Sequence, residues 1–194
     1  MINSENCAQK TDEELVALTL QNQDFFSCLV ERYEPKLMRY VRRISAATRE
    51  DAEDLLQEIF VKVYRNLNDF DQSLKFSSWI YRIAHNQVIS SWRKTKSRPP
   101  VLKFEADEDF LKFIAADEDL ARDIERRFTA EEVRRIINQL DEKYREVLVL
   151  KFLEGKDYRE ISDILRRPLG TVATLINRAK KQFAKIVEEK EIKF

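Results

Sequence analysis

Only two glycines and four prolines occur in the 194 residues. A sheet-rich chain of this length needs many glycine-bearing turns, so a mainly β fold is excluded. A single histidine, His85, and two cysteines, Cys7 and Cys28, supply neither a disulfide framework nor a four-ligand metal site. No apolar run approaches the roughly 20 residues of a membrane-spanning helix. The N-terminus also lacks the basic-then-apolar order of a signal peptide. There is no glycine-rich phosphate loop and no catalytic acid–base pair, so no enzyme activity, metal or cofactor is expected. What the chain does contain is 43% hydrophobic and 36% charged residues, enough apolar material for real cores. The expectation is an all-α, cytoplasmic protein with no membrane insertion.

Net charge is zero, with 35 basic and 35 acidic side chains, but it is unevenly placed. Residues 1–24 carry a net of −4, 25–98 a net of +5, 99–125 a net of −6 and 126–194 a net of +5. Two basic blocks flank an acidic one, and block charge is what a polyanionic partner meets. The expected organisation is therefore two small helical domains, 1–98 and 126–194, joined by an acidic linker, 99–125.

Helix punctuation supports this division. Thr11-Asp12-Glu13-Glu14 is a capping box ahead of Leu15, Val16 and Leu18. A second helix is expected from Asp24 and a third opening at Pro35, with Leu37, Met38, Val41 and Ile44 at helical spacing. A fourth runs over 49–67, with Leu55, Leu56, Ile59, Phe60 and Val63 on its apolar stripe. Residues 66–73, rich in Asn, Asp and Ser, read as a loop. A fifth helix spans 74–95, and Pro99-Pro100 follows it. Cys28 falls on an apolar stripe and reads as packing. Cys7 reads as an exposed thiol, His85 as a half-exposed helix residue and Trp79 as core. Thr129-Ala130-Glu131-Glu132 is a further capping box and opens the second domain.

Residues 140–181 carry the most specific pattern. A helix over 141–153 is stopped by Gly155, a short helix follows over 157–165, and Arg166-Arg167 makes a turn. Pro168 then opens a long helix. Two helices joined by such a turn match a helix-turn-helix, whose second helix enters a major groove. Ile161, Ile164, Leu165, Leu169, Val172 and Ile176 are its expected core. Thr171, Thr174, Asn177, Arg178 and Lys181 fall on the outer side, where Asn suits adenine and Arg suits guanine or phosphate.

On these residues the chain resembles a known family. Leu140 to Gly155, Tyr158-Arg-Glu-Ile-Ser-Asp-Ile-Leu and Pro168-Leu-Gly-Thr-Val look like the promoter-reading C-terminal domain of bacterial sigma factors. Asp51-Ala-Glu-Asp-Leu-Leu-Gln-Glu-Ile-Phe-Val-Lys-Val-Tyr resembles the sigma helix that docks on core RNA polymerase. Phe76-Ser-Ser-Trp-Ile-Tyr-Arg-Ile-Ala-His-Asn resembles the helix at the melted promoter element. Order and spacing are similar to the two-domain extracytoplasmic-function (ECF) group.

The resemblance implies a transcription-initiation factor with core RNA polymerase, promoter DNA and an anti-sigma factor as partners. Asp54, Gln57, Glu58 and Lys62 would dock on the largest polymerase subunit, and Arg145 would meet the flap of the second-largest. Asn66 and Phe70, supported by Asn86 with Lys75 and Phe76 nearby, would hold a flipped base at the −10 element. Arg93, Lys94, Lys96 and Arg98 would lie along phosphates. Gly170, Thr171, Thr174, Asn177, Arg178 and Lys181 would face the −35 duplex, with Gly170 permitting close approach. Three positions depart from the family pattern: Ser90 replaces an Asp, Asp141 replaces a Pro, and Ala173-Thr174-Leu175 replaces a more basic triplet. The resemblance also implies an acidic linker laid along a basic channel of polymerase. A dimeric helix-turn-helix regulator and a purely structural helical adaptor remain as alternatives at this point.

Overall fold

The computed structural model describes residues 7–45, 47–95 and 130–191, and every regular element among them is helical. Contacts divide the chain into two compact units, which in the main lie before and after the Arg98–Pro99 boundary. Lys96, Arg98, the acidic stretch 99–125 and the capping box opened by Thr129 lie outside the described residues.

The N-terminal unit contains α1 (Asp12–Gln21), α2 (Phe26–Ile44), α3 (Arg49–Arg65) and α4 (Phe76–Thr95). Its first helix starts as the sequence predicts. Glu14 N–H donates to Thr11 Oγ1 at 3.1 Å, and Thr11 N–H donates to Glu14 Oε2 at 2.7 Å. The backbone N–H of Thr11 holds the Glu14 carboxyl below the usual glutamate range. Thr48 and Asp51 repeat the device at the start of α3.

The expected break at Pro35 does not occur: α2 runs through it as one 19-residue helix. Proline removes one backbone donor and costs about 3 kcal/mol in a helix interior. Here Pro35 is exposed, while Cys28, Leu29, Tyr33, Leu37, Tyr40, Val41 and Ile44 are all buried along one stripe. Each such side chain contributes roughly 1.5–3 kcal/mol on burial, so the stripe outweighs the proline.

Leu15 and Val16 of α1, Ile59 and Val63 of α3, and Phe76, Ile80, Ala84 and Val88 of α4 are buried as well, and Tyr33 of the stripe meets the Phe76 ring edge to face at 5.5 Å. Two polar readings are corrected. His85 is buried, with Nδ1 3.2 Å from the Tyr40 hydroxyl, because α4 turns it toward the core rather than the rim. Cys7 is not an exposed thiol: a short turn folds it onto α2, where it forms a disulfide with Cys28. The Arg32 guanidinium fixes that turn by donating to the Cys7 carbonyl at 2.7 Å.

The C-terminal unit contains α5 (Ala130–Gln139), α6 (Glu142–Leu148), a π-helical turn (Val149–Leu153), α7 (Tyr158–Leu165) and α8 (Leu169–Glu191). The expected single helix to Leu153 thus changes pitch at Val149. Gly155 has φ +62°, the left-handed stop that its missing Cβ makes inexpensive. Asp157 and Glu160 cap α7 reciprocally at 2.8 and 3.0 Å. Helix α8 packs on α6 and α5. Ile136, Ile137, Val147, Val149, Leu150, Ile161, Ile164, Val172, Ile176 and Ala179 are buried, but Leu169 is 46% exposed and leaves the expected core. It is the first residue of α8, before the helix has turned its apolar side inward.

Candidate nucleic-acid and polymerase interface

The helix-turn-helix is built by local chemistry. Arg166 takes the left-handed conformation (φ 51°, ψ 47°), a role usually left to glycine. Two bonds across the turn compensate: Arg167 N–H donates to the Ser162 carbonyl at 3.1 Å, and Ser162 Oγ donates to the Arg167 carbonyl at 2.6 Å. Pro168 precedes the helix rather than beginning it, and its carbonyl accepts from Thr171 and Val172 N–H at 2.8 and 3.0 Å.

From this fixed start, α8 presents Gly170, Thr171, Thr174, Asn177, Arg178 and Lys181, all exposed. A Cβ built on Gly170 would meet nothing within 4 Å, so no neighbour inside the protein requires glycine there. The Thr174 hydroxyl donates to the Gly170 carbonyl at 2.8 Å, so its oxygen remains able to accept. Exposed Leu169 stands at the head of this row and was not foreseen. Its signal, an apolar residue immediately before Gly170, was absorbed into the predicted core.

Arg145, expected at the polymerase flap, is half-buried. Its Nη2 donates to the carbonyls of Leu140 (2.9 Å) and Asn138 (3.2 Å), closing the end of α5. Burial lowers its pKa, with Glu142 and Glu146 opposing. Glu146, one residue on, is itself buried; burial and then Glu142 raise its pKa to about 7, while Arg167 and Arg145 pull it down.

In the N-terminal unit, α3 exposes Asp54, Gln57, Glu58 and Lys62 along one side. Glu58 and Lys62 also reach across to α4, where both bond the side-chain amide of buried Gln87. Exposed Val61 and Tyr64 stand beside this polar row, with Phe26 edge-on to Tyr64 at 5.1 Å and to Phe60 at 6.4 Å. The apolar trio Phe26, Val61 and Tyr64 was missed because the α3 pattern assigns only the polar side to a partner.

The segment between α3 and α4 is a loop around a short 3-10 turn, Leu67–Asp69. Asn66 closes α3, its amide donating to the Lys62 carbonyl at 2.7 Å, and Leu67 anchors the turn in the core. Asn66, Asn68, Asp69 and Lys75 are exposed, as is Asn86 on α4. The aromatic members sit differently. Phe70 is only 7% exposed and Phe76 is fully buried; their rings meet edge to face at 5.4 Å, with Trp79 behind Phe70 at the same distance. Phe76 is thus a support under Phe70 and offers no surface to a base. Beside the loop lies a concavity of about 600 Å³ lined by Thr19 to Gln23, Tyr64, Arg65, Leu67 and Asn68. Its α1 contribution was also missed, since no motif marks it. Asp71 accepts from Ser73 N–H at 2.9 Å, which holds its carboxyl below the usual aspartate range. Arg93 and Lys94 are exposed in the last turn of α4, where cations suit the helix dipole. No described helix is long and apolar enough to cross a membrane.

A family model for sigma-70 region 2 matches residues 29–98, and one for sigma-70 region 4 matches residues 130–183. The ECF RNA polymerase sigma factor SigW of Bacillus subtilis is 36% identical over 174 residues, covering 84% of this chain and 89% of SigW. The ECF RNA polymerase sigma-E factor of Haemophilus influenzae is 33% identical over 184 residues, covering 89% and 93%. Among solved structures, CnrH in complex with the cytosolic domain of CnrY is 26% identical with a TM-score of 0.66, covering 93% of this chain and 99% of CnrH. Two helical units, one matching region 2 and the other region 4, define a promoter-specific transcription-initiation factor. The chain belongs to the ECF group of the sigma-70 family.

Proposed function

We propose that the two units divide initiation between them, the N-terminal one capturing a melted strand and the C-terminal one reading duplex. The observation that carries this is the contrast of surfaces: a rigid row of exposed side chains on α8, and an exposed polar loop seated on the Phe70–Phe76–Trp79 cluster. A helix row fits a major groove. A base taken out of its stack needs an apolar wall and polar groups for its edge.

On this reading Asp54, Gln57, Glu58 and Lys62 dock on core polymerase, extended by the apolar trio at Phe26, Val61 and Tyr64. Asn66, Phe70 and Asn86, with Lys75 alongside, receive the flipped −10 base, and Phe76 backs Phe70. Arg93 and Lys94 follow phosphates. Gly170, Thr171, Thr174, Asn177, Arg178 and Lys181 face the −35 duplex, with Leu169 available for a thymine methyl. Arg145 braces the domain instead of touching the flap. Opening is driven by base capture and requires no hydrolysis by this chain, which acts in the cytoplasm with the polymerase. The acidic linker 99–125 enters a basic channel of the enzyme. CnrH binds the cytosolic domain of CnrY, and an anti-sigma partner of that kind is proposed here also. A free-standing dimeric regulator is not favoured, because it would have no use for the region 2 match over residues 29–98.

A gel shift tests the reading. Each basic block carries a net of only +5, so the isolated protein should bind promoter duplex weakly at physiological salt. Core polymerase should bring specific retention. Tight, sequence-specific binding by the free protein would overturn the proposal.

A further inference from the structure

The disulfide between Cys7 and Cys28 is the one covalent link added to this fold, and it is not isolated from the promoter-opening loop. It joins the turn ahead of α1 to α2, with Cα atoms 5.7 Å apart. Arg32, one turn past Cys28, donates to the Cys7 carbonyl at 2.7 Å and pairs with Asp12 at 2.6 Å. Asp12 also accepts from the Tyr33 hydroxyl, whose ionisation burial and then Asp12 push far up, so the phenol remains the donor. The next residue, Glu13, accepts the Phe76 backbone N–H at 3.2 Å. The Tyr33 ring meets Phe76 edge to face at 5.5 Å, and Phe76 supports Phe70. Bonded and packed contacts therefore run without a gap from the bridge to the loop at Asn66–Phe70.

We propose that the Cys7–Cys28 pair is a redox-modification site, and that its closed form holds the N-terminal turn and, through Asp12 and Glu13, the base of the promoter-opening loop. The role given to the loop rests on the function proposed above; the redox site itself does not. An initiation factor works where thiol pools are reducing, and disulfides there are chiefly transient, catalytic or redox-sensing. The site is built for such access. Both cysteines are buried, yet Ala8 and Gln9 beside Cys7 are exposed where the backbone turns toward α1, with Lys10 N–H donating to the Cys7 carbonyl at 3.3 Å. Opening that turn admits a reagent without unfolding the helices.

Closure removes two electrons and two protons from the thiols. With a peroxide as oxidant, two S–H bonds and the O–O bond break, one S–S bond forms, and both protons leave on the two oxygens; hydrogen peroxide gives two waters. In the opening direction a dithiol attacks one sulfur, forms a mixed disulfide and is resolved by its own second thiol. It departs as a disulfide, and both cysteines end as thiols.

The test uses the full chain poised in buffers of reduced and oxidised glutathione, read by thiol alkylation and by backbone amide exchange. Alkylation should show one two-electron transition, with both cysteines protected or both modified. Exchange at Phe76 and across 67–70 should be several-fold faster in the reduced protein. Cys7→Ser should match the reduced wild type in either buffer, and the milder Cys7→Ala provides the same comparison should the serine disturb the core. Persistent alkylation of both cysteines under oxidant, or exchange at 67–76 that ignores the state of the bridge, overturns the proposal. Neither readout uses polymerase or DNA. Failure of the sigma-type role of the loop appears separately, as redox-dependent exchange with no change in promoter opening.

Discussion

Helix α8 and the loop after α3, to which we assign duplex reading and strand capture, use opposite means of presenting polar groups. On α8 the frame is regular, so residues three and four apart share a face and all six expected residues are exposed. In the loop after α3, presentation depends on what lies beneath. Leu67, Phe70 and Phe76 are driven into the core, and their burial decides that Asn66, Asn68 and Asp69 face out. Substitutions in α8 should therefore change recognition with little loss of stability, whereas aromatic substitutions under the loop should change stability first.

The largest expected effect breaks the loop side of that comparison. Phe76→Ala removes a fully buried ring and should cost roughly 3–5 kcal/mol of N-terminal stability, measured by urea unfolding with tryptophan fluorescence. A small effect would mean that the loop stands without its aromatic support. Next come the exposed groups of α8. Asn177→Ala or Arg178→Ala should leave the melting temperature nearly unchanged and lose roughly 1–3 kcal/mol of discrimination at one position of the −35 element. Binding of a −35 substitution series by the reconstituted holoenzyme measures it.

Gly170→Ala sharpens the same point because its two consequences have opposite sign. Nothing inside the protein occupies the space of the added methyl, so the variant should gain up to about 1 kcal/mol of helix stability. It should bind the upstream duplex less tightly if the backbone approaches DNA there. A variant that is stabler and binds promoters as well as wild type would remove Gly170 from the interface.

A last effect appears only across a titration window. Glu146 has its pKa raised from 4.5 to about 7 in the folded chain, so the native state binds its proton more tightly than the unfolded state. The associated stabilisation is full below about 4.5 and is lost as the pH rises through about 7. Glu146→Gln should flatten that part of the melting-temperature profile. An unchanged slope would place the carboxylate in a more solvated setting.

How much of this was legible in the sequence followed the same divide. Regular spacing revealed the α8 row, and the chemistry of Thr11-Glu14 and Gly155 revealed where helices start and stop. Periodicity says nothing about a loop, so the sequence did not reveal that Phe70 lies largely and Phe76 wholly within the core. Pro35 read as a boundary because a local rule cannot see seven buried partners in the same helix. The bonds that Arg145 makes inside its own unit were not legible, because its acceptors, the carbonyls of Asn138 and Leu140, come together only once α5 ends beside it. The Cys7–Cys28 bridge required the fold itself, since nothing local brings residues 21 apart together.

The division of labour between the two units is tested most directly by separating promoter retention from promoter opening. Reconstituted holoenzymes carrying Asn66→Ala or Asn177→Ala would be compared for retention on a promoter fragment and for permanganate reactivity of its −10 thymines. The account predicts that Asn177→Ala lowers retention while the complexes that do form open normally. It predicts that Asn66→Ala keeps retention and loses reactivity per bound complex. Equal loss of both steps in both variants would contradict the assignment of duplex reading to α8 and strand capture to the loop.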